Sequence, residues 1–261
     1  MTTVGVNGAT GRMGRAVIEM AGEREDVAVS FGIAPNADGP ETGADLDVPL
    51  YPPESATAAL ADHDPDTIVD FSIPDATVDL AGACAEAGVP LASGTTGFED
   101  DQLAVLQETG QAVPVLLASN FSRGIQALLG ALGPALEALP GYDVEVTETH
   151  HNGKRDAPSG TALTIVEEMA AHRDLEPVYG REGVQPRTED EIGVLVRRAG
   201  DIRGEHEVTF ADNDEVFTIG HRAEDRGVFA AGAIDAAVWL VGRDPGLYDF
   251  GDVVVDGADG E

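Results

Sequence analysis

The most chemically distinctive segment runs from Glu148 to Ala162 and reads ETHHNGKRDAPSGTA. Two of the six histidines, His150 and His151, are adjacent in it, and Lys154 is the only lysine in the chain. Because arginine serves as the cation everywhere else, a retained lysine indicates a need for an ammonium group. Lysine can be tuned to donate a proton near neutral pH, whereas arginine cannot. The segment therefore predicts a proton-handling site.

The end of the same segment predicts a helix that begins with an anion site. Ser159 is a favourable N-cap residue, and the free backbone N–H groups around Gly160 and Thr161 would attract a carboxylate. A dicarboxylate would meet imidazoles, an ammonium group and a helix N-terminus together. A surface loop with incidental histidines is the alternative, and a bare His-His pair has too few ligands for a metal. Four further histidines are interpreted as structural or solvated, namely His63, His172, His206 and His221.

A glycine-rich turn near the start of the chain is typical of dinucleotide binding. It follows the predicted strand Thr3–Asn7 and opens a predicted helix; its residues are Gly8, Ala9, Thr10, Gly11, Arg12 and Met13. Glycines let backbone N–H groups approach a pyrophosphate, and Arg12 adds a cation. The GxxGxxG spacing differs from the usual GxGxxG, so a plain tight turn is the alternative. Its place at the first strand–helix junction favours the dinucleotide site.

Two later loops also follow predicted strands. One contains Gly94, Thr95 and Thr96, and the other contains Ala118, Ser119, Asn120 and Phe121. Both lie at the carboxyl ends of predicted parallel strands, where open α/β sheets bind ligands. Their hydroxyl and amide groups suit contacts with ribose and nicotinamide. Each loop alone is equally compatible with an ordinary connection, but together the loops outline one crevice.

The order of the predicted elements indicates an α/β protein with two domains. Strands and helices alternate in the first half, which predicts a Rossmann-type, doubly wound parallel sheet. After about Ser122 the strands lie close together in sequence, which predicts a second, α+β domain. We therefore expect a dinucleotide-binding domain over 1–122 plus 228–261 and a second domain over 123–227. The apolar segment Val253–Val255 is predicted to be a strand that rejoins the first domain.

The composition is strongly acidic. The chain has 48 Asp and Glu residues against 15 Lys and Arg residues, a formal net charge of −33. Apolar periodicity along nearly the whole chain argues against disorder, although acidity of this degree can signal it. A large negative field argues against nucleic acid or an anionic membrane as partners. An acidic, lysine-poor surface on an ordinary core is typical of a halophilic protein.

Other features of the sequence predict a cytoplasmic protein. Cys84 is the only cysteine, so an intramolecular disulfide is excluded, and a buried structural role is expected for it. No apolar run has the length of a membrane span, and the N-terminus lacks the features of a signal peptide.

Seven motifs, in order along nearly the whole chain, resemble the dihydrodipicolinate reductase family. They are VNGATGRMGR at the start, GTTGF (Gly94–Phe98), ASNFS (Ala118–Ser122), THHNGKRDAPSGTA (Thr149–Ala162), RAGDIRGEH (Arg198–His206), FAAGAIDAAVWL (Phe229–Leu240) and GLYDFGDVV (Gly246–Val254). The resemblance implies a Rossmann domain rejoined by the C-terminal segment. It also implies that the second domain binds substrate and that its sheet builds a homotetramer.

The resemblance further implies a reaction and the residues that perform it. The family uses NADPH or NADH to reduce a cyclic imine derived from 4-hydroxy-tetrahydrodipicolinate, with loss of water, in the diaminopimelate route to lysine. His150 matches the family's proton donor or acceptor and Lys154 its proton-donating lysine. His151, Gly160 and Thr161 match its substrate-binding positions, and the three loops described above match its cofactor contacts.

Two other functions are compatible with this architecture. One is a reductase of another small dicarboxylate, which the His-His-Lys signature disfavours. The other is a dinucleotide-sensing module without catalysis, which the presence of both His150 and Lys154 disfavours.

One position departs from the family's usual pattern. After the second strand the family places an acidic residue that holds the adenosine ribose, and this chain has Asn36 there, followed by Ala37. Without a carboxylate at this position the exclusion of NADPH weakens. We expect both NADPH and NADH to serve as cofactors.

Overall fold

The computed structural model describes residues 1–35, 37, 41–42 and 46–258, which form two compact units. Unit 1 comprises Met1–Ser122 and Arg226–Glu261, and unit 2 comprises Arg123–Asp225. The division predicted from the sequence has the same first boundary, and its second boundary lies two residues later.

The first segment of unit 1 alternates strands with helices. Its elements are β1 (Thr2–Asn7), α1 (Arg12–Gly22), β2 (Val27–Ile33), β3 (Glu41–Thr42), β4 (Pro49–Tyr51), α2 (Ala56–His63), β5 (Thr67–Asp70), α3 (Pro74–Ala87), β6 (Leu91–Ser93), α4 (Asp100–Thr109) and β7 (Pro114–Leu117). A 3-10 helix, Pro53–Ser55, precedes α2. The predicted alternation is confirmed, although β3, β4 and α2 were not predicted from the sequence.

Unit 2 is built on a mixed sheet with helices on one face. Its elements are α5 (Arg123–Ala138), β8 (Asp143–His150), α6 (Gly160–His172), β9 (Glu176–Tyr179), β10 (Glu191–Arg198), β11 (Glu205–Asp212) and β12 (Glu215–Arg222). The strand order is β12-β11-β8-β10-β9, with β11 antiparallel to both of its neighbours. Val144 and Val146 of β8 alternate with polar residues and share one apolar core with α5 and α6. The predicted α+β domain is confirmed.

The chain then returns to unit 1 through α7 (Gly227–Leu240), β13 (Gly246–Tyr248) and α8 (Phe250–Ala258). The prediction of a strand at Val253–Val255 was wrong, because these residues lie in α8. The side chain of Asp249 accepts hydrogen bonds from the N–H groups of Gly251 and Asp252 and so caps this helix. Three consecutive valines are too few to distinguish a strand from a helix by periodicity.

The completed sheet of unit 1 has the order β13-β7-β6-β5-β1-β2-β4-β3, and all of its pairings are parallel except that of β3 with β4. Its central strands end in one row. Asn7 pairs with Asp70, Asp70 with Ser93, and Ser93 with Leu117, and each of these residues is the last of its strand. The loops that follow these four strands therefore leave the sheet side by side. They are the loops in which cofactor contacts were predicted, plus the loop after β5.

Two observations concern the expected environment of the protein. Cys84 is fully buried in the core of unit 1, as predicted, and this burial raises the pKa of its thiol to about 12. Among the residues described, no helix combines the length and apolarity that crossing a bilayer requires.

Helix α7 packs into the core of unit 1 through small side chains. Ala230, Ala233 and Ala237 are fully buried in that core. Gly232 lies so close to the backbone carbonyl of Phe121 that a methyl group on it would stand 1.9 Å from the oxygen. Glycine is required at position 232 because two backbone segments meet there. A methyl group on Gly82 in α3, by contrast, would meet no atom within 4 Å beyond the neighbouring backbone of its own helix.

This contrast predicts opposite effects for two helix-interior substitutions. We expect Gly232→Ala to lower the free energy of unfolding by about 2 kcal/mol or more, since the helix must move off Phe121. We expect Gly82→Ala to raise it by about 0.5–1 kcal/mol, because alanine loses less backbone entropy on folding. Chemical denaturation at one fixed salt concentration measures both. Similar effects of the two substitutions would contradict the proposed close packing.

Candidate active site

A fully buried carboxylate, Glu148, lies at the centre of the predicted proton-handling segment. The guanidinium of Arg198 donates hydrogen bonds to both of its oxygens, over 2.8 Å to Oε1 and 2.9 Å to Oε2. The backbone N–H of Ser159 donates to Oε1 over 3.0 Å. His150 Nδ1 lies 2.5 Å from Oε2. The carboxylate thereby joins β8, β10 and the start of α6.

These partners decide the protonation of Glu148 and the orientation of His150. Burial alone would favour the neutral acid, but the hydrogen bonds from Arg198, His150 and the Ser159 N–H outweigh it and lower the pKa of Glu148. Glu148 is therefore an acceptor, and this hydrogen bond assigns the His150 proton to Nδ1. Burial, with smaller contributions from the charges of Lys154 and Arg198, lowers the pKa of His150 below its ordinary value even though Glu148 opposes the shift. His150 is consequently neutral at pH 7 and presents Nε2 as a proton acceptor.

The loop after β8 holds Lys154 near this pair. Its Nζ lies 2.8 Å from Asp156 Oδ2, and the lysine side chain is 22% exposed against 55% for the aspartate. The backbone carbonyl of Asp156 accepts a hydrogen bond of 2.6 Å from Arg198. The guanidinium that pairs with Glu148 therefore also holds, through the Asp156 carbonyl, the loop that contains Lys154.

The residues of the predicted anion site lie at the first turn of α6. Ser159 is the N-cap, as predicted, and its Oγ accepts a hydrogen bond of 3.2 Å from the N–H of Ala162. Gly160 is exposed and Thr161 is buried, and no acidic residue lies in the first turn. His151, partly exposed, follows β8 directly. The five predicted catalytic and substrate-binding residues thus lie between the end of β8 and the first turn of α6.

Three residues of this site were not identified from the sequence, namely Glu148, Arg198 and His206. His206 was interpreted as structural or solvated, but it contacts His150 edge-to-face with ring centroids 5.2 Å apart. It is 3% exposed, and burial lowers its pKa to about 4, so it is neutral at pH 7. Its Nε2 lies 3.2 Å from Ser159 Oγ. The signal that could have revealed it is the register of β8 with β11, which places His206 opposite Glu148.

The glycine-rich turn of unit 1 has the geometry of a phosphate cradle. Gly8 has a φ of +76°, and a methyl group on Gly14 would lie 2.2 Å from the Gly8 carbonyl oxygen. The N-cap of α1 is Gly11, which supplies no side-chain cap, and the first turn holds no acidic residue. Arg12 is exposed at this helix start. A pyrophosphate fits these uncapped N–H groups and the adjacent cation.

An open cavity of about 480 Å³ in unit 1 connects this turn with the loop after β6. Five of the predicted cofactor-binding residues line it, namely Arg12, Met13, Gly94, Thr95 and Thr96. Residues 71–74, after β5, also line it and were not identified from the sequence. A cavity that is partly polar, lies at the ends of parallel strands and borders a phosphate cradle suits a nucleotide.

The remaining predicted cofactor contacts differ in accessibility. Gly8 is partly exposed, Thr10 and Gly11 are exposed, and Ala9 is buried. After β7, Ser119 is exposed, whereas Ala118 and Asn120 are partly exposed. The ring of Phe121 is buried between Phe71 and Phe250, so this residue is a core residue whose backbone alone could meet a ligand. Asn36, on which the expected cofactor preference depends, lies outside the described residues.

Two models of one protein family together match nearly the whole chain. The model of the dihydrodipicolinate reductase N-terminus matches residues 2–121, and the model of its C-terminus matches residues 124–254. The chain belongs to the dihydrodipicolinate reductase family. Members of the family are NADH- or NADPH-dependent oxidoreductases, and the N-terminal part is the one that binds the cofactor.

Individual relatives support the same assignment. A 4-hydroxy-tetrahydrodipicolinate reductase from Haloarcula marismortui is 56% identical over 254 residues, which cover 97% of this chain and 99% of the relative. One from Natronomonas pharaonis is 51% identical, covering 95% and 98%. The solved dipicolinate-bound dihydrodipicolinate reductase from Paenisporosarcina sp. TG-14 has a TM-score of 0.78 at 23% identity, covering 95% of this chain and 97% of that one. This last match supports the fold.

The contacts of Glu148 predict a large effect of removing its charge. In Glu148→Gln an amide NH₂ replaces one acceptor oxygen. In either orientation it must face a donor of Arg198, together with the Ser159 N–H in one orientation and His150 Nδ1–H in the other. We expect the kcat for reduction of the family's substrate to fall by about 100-fold or more, because His150 loses its fixed tautomer. Steady-state kinetics at saturating cofactor would measure this.

The matched control is Glu145→Gln on the same strand. Glu145 is 33% exposed and forms ion pairs with Arg187 and Arg181. This variant loses ion pairs as well, yet its kcat should stay within about twofold of wild type. A Glu148→Gln variant with a kcat within threefold of wild type would show that Glu148 does not orient His150 for catalysis.

Proposed function

We propose that the protein is a 4-hydroxy-tetrahydrodipicolinate reductase. It reduces 4-hydroxy-2,3,4,5-tetrahydrodipicolinate to 2,3,4,5-tetrahydrodipicolinate with loss of water, using NADPH or NADH, in the diaminopimelate route to lysine. The observation on which this rests is the buried Glu148–His150 pair, beside the only lysine and a helix N-terminus, in a chain of this family.

In this proposal unit 2 binds the dicarboxylate. The N–H groups of Gly160 and Thr161, at the start of α6, and the imidazole of His151 bind its carboxylates. Lys154 Nζ donates a proton as negative charge develops on the ring nitrogen, and Asp156 holds the ammonium in place beforehand. His150 exchanges protons through Nε2, since Nδ1 is committed to Glu148.

Unit 1 binds the dinucleotide in this proposal. The turn from Gly8 to Met13 holds the pyrophosphate. The N–H groups of Arg12 and Met13, which begin α1, donate to it, since those of Gly8, Ala9 and Gly11 donate to backbone carbonyls, and the Arg12 side chain assists. The loops 94–96 and 118–121 contact the ribose and nicotinamide at the row of strand ends. The bound cofactor supplies the hydride. With Asn36 in place of a carboxylate, NADPH and NADH are both accepted.

We further propose a cytoplasmic homotetramer from a halophilic organism. The face of the unit 2 sheet opposite the helices bears exposed apolar side chains, among them Leu195 (42% exposed) and Val216 (68% exposed). Burial of that face between subunits would remove these side chains from water. The formal charge of −33 supports a protein adapted to concentrated salt.

The proposed function is tested by measuring the oxidation of NADPH and of NADH while the synthase that makes the substrate generates it in the same assay. The proposed proton donor is tested by the variant Lys154→Arg. We expect Lys154→Arg to lower kcat by about 10²–10⁴-fold, because arginine keeps the charge but does not release a proton. The reciprocal change next to it, Arg155→Lys at an exposed position, is the control and should have little effect. A kcat of Lys154→Arg within threefold of wild type would refute proton donation by Lys154. Oxidation that requires a different dicarboxylate would reassign the substrate.

The charge balance predicts a stability that depends on salt. Raising KCl from 0.1 to 1 M shortens the screening length from about 10 Å to about 3 Å, which weakens repulsion among the surface carboxylates. We therefore expect the Tm to rise between these concentrations. Sucrose, which adds no charge screening, serves as the control and should raise the Tm less. An unchanged Tm in KCl would contradict adaptation to salt.

A further inference from the structure

The mechanism leaves one fully buried carboxylate in unit 1 unexplained. Asp70 ends β5 in the row of strand ends, and its side chain is 0% exposed. Five uncharged groups donate to it. Oδ2 accepts from Ser93 (2.6 Å), Thr77 (2.7 Å) and Thr95 (2.8 Å), and Oδ1 accepts from Ser72 (2.6 Å) and Asn7 (2.8 Å). No cationic side chain in the described part of the chain is within hydrogen-bonding distance of it.

The carboxylate sets the direction of the hydrogen bonds around it. A hydroxyl has one proton, and when that proton points at Asp70, its lone pairs must accept from other groups. The Oγ of Ser93 accepts from the N–H of Thr95 over 3.2 Å. The Oγ1 of Thr95 accepts from the N–H of Ser72 over 3.0 Å. Asp70 thus fixes two backbone N–H groups through intervening hydroxyls.

Both of these N–H groups belong to loops that line the nucleotide-sized cavity. Ser72 and Thr95 are lining residues themselves. The loop after β5 also packs against both glycine turns, the one at Gly8 and the one at Gly94. A methyl group on Gly8 would lie 2.3 Å from the Phe71 carbonyl oxygen, and one on Gly94 would lie 2.1 Å from the Phe71 ring. A small shift of residues 71 and 72 would therefore move both walls of the cavity.

We infer that Asp70 is a positioning residue for the cofactor: through Ser93, Thr95 and Ser72 it fixes the loops after β5 and β6 in the conformation that receives the dinucleotide. This inference rests on the proposed function, which assigns the cavity to the cofactor. Asp70 touches no solvent and hence no ligand. Asp70 therefore affects cofactor affinity indirectly, by fixing the conformation of the loops after β5 and β6.

The test uses Asp70→Asn in the full-length protein at high salt. The substituted amide brings donor protons to a site where every neighbour is already a donor, so the hydroxyls must turn and release the loop N–H groups. We expect the Kd and KM for NADPH and NADH to rise at least tenfold, while the KM for the substrate, bound by unit 2, changes by less than about twofold. Cofactor Kd is measured from nicotinamide fluorescence and folding from the Tm.

Asp66→Asn is the matched control on the residue that precedes the same strand. Asp66 accepts hydrogen bonds from the N–H and hydroxyl of Thr3, at the opposite end of the sheet from the cavity. This variant should lower the Tm and leave the cofactor Kd unchanged. If Asp70→Asn also lowers only the Tm, with cofactor Kd within twofold of wild type, Asp70 is structural and the inference is overturned.

A second variant covers the case in which Asp70→Asn does not fold. Ser93→Ala removes one donor to Asp70 and the acceptor of the Thr95 N–H, at a buried side chain that meets no ligand. We expect it to raise the cofactor Kd by about threefold or more, and an unchanged Kd would overturn the inference. The wild-type protein distinguishes the two proposals. If it binds neither NADPH nor NADH, the proposed function itself fails.

Discussion

The ionised carboxylate of Glu148, fully buried in unit 2, is the constraint from which the arrangement of the candidate site follows. A buried charge costs several kcal/mol unless it is paired and hydrogen-bonded. Arg198, the Ser159 N–H and His150 supply these bonds, and they come from three different elements. Strand β10, which carries Arg198, must therefore pair with β8 in the observed register, and α6, which Ser159 caps, must begin next to β8. The tautomer of His150 and the anchoring of the Lys154 loop follow from the same pairing.

Unit 1 accommodates a buried carboxylate in a different way. Asp70 has only hydroxyl and amide donors, whereas Glu148 has a guanidinium. A guanidinium neutralises charge and ties strands together. Hydroxyl donors do not neutralise the charge of the carboxylate. Because their protons point at it, their oxygen lone pairs are oriented to accept hydrogen bonds from nearby backbone N–H groups. The first arrangement suits a site that holds an imidazole in one tautomer, and the second suits a site whose loops must keep a fixed shape around a ligand. Among the described residues, these two are the only Asp or Glu side chains that are fully buried.

Structural features that depend on residues close together in the sequence were predicted correctly. The glycine-rich turn, the Ser159 N-cap and the helix–strand alternation depend on neighbouring residues and were found. Arg198 lies 50 residues from Glu148, and their pairing depends on strand register, which no single segment encodes. His206 was missed for the same reason. With 48 acidic residues in the chain, nothing in the composition distinguishes Asp70 or Glu148 from the solvated majority.

The charges around the candidate site explain why the single lysine matters in a protein of this kind. Arg198 and Glu148 neutralise each other, and burial keeps both His150 and His206 uncharged. Two cations of the segment then remain, Lys154 and the exposed Arg155, and the carboxylate that Lys154 pairs with, Asp156, is 55% exposed. An ion pair whose carboxylate is largely exposed is weakened by water and by salt, so a substrate carboxylate or a developing negative charge can compete with Asp156 for the ammonium. Arg198 cannot be released in this way, because leaving Glu148 unpaired would cost far more. Of the cations in this segment, Lys154 is the one that can leave its partner carboxylate and can also release a proton, because the two arginines, Arg155 and Arg198, keep their protons.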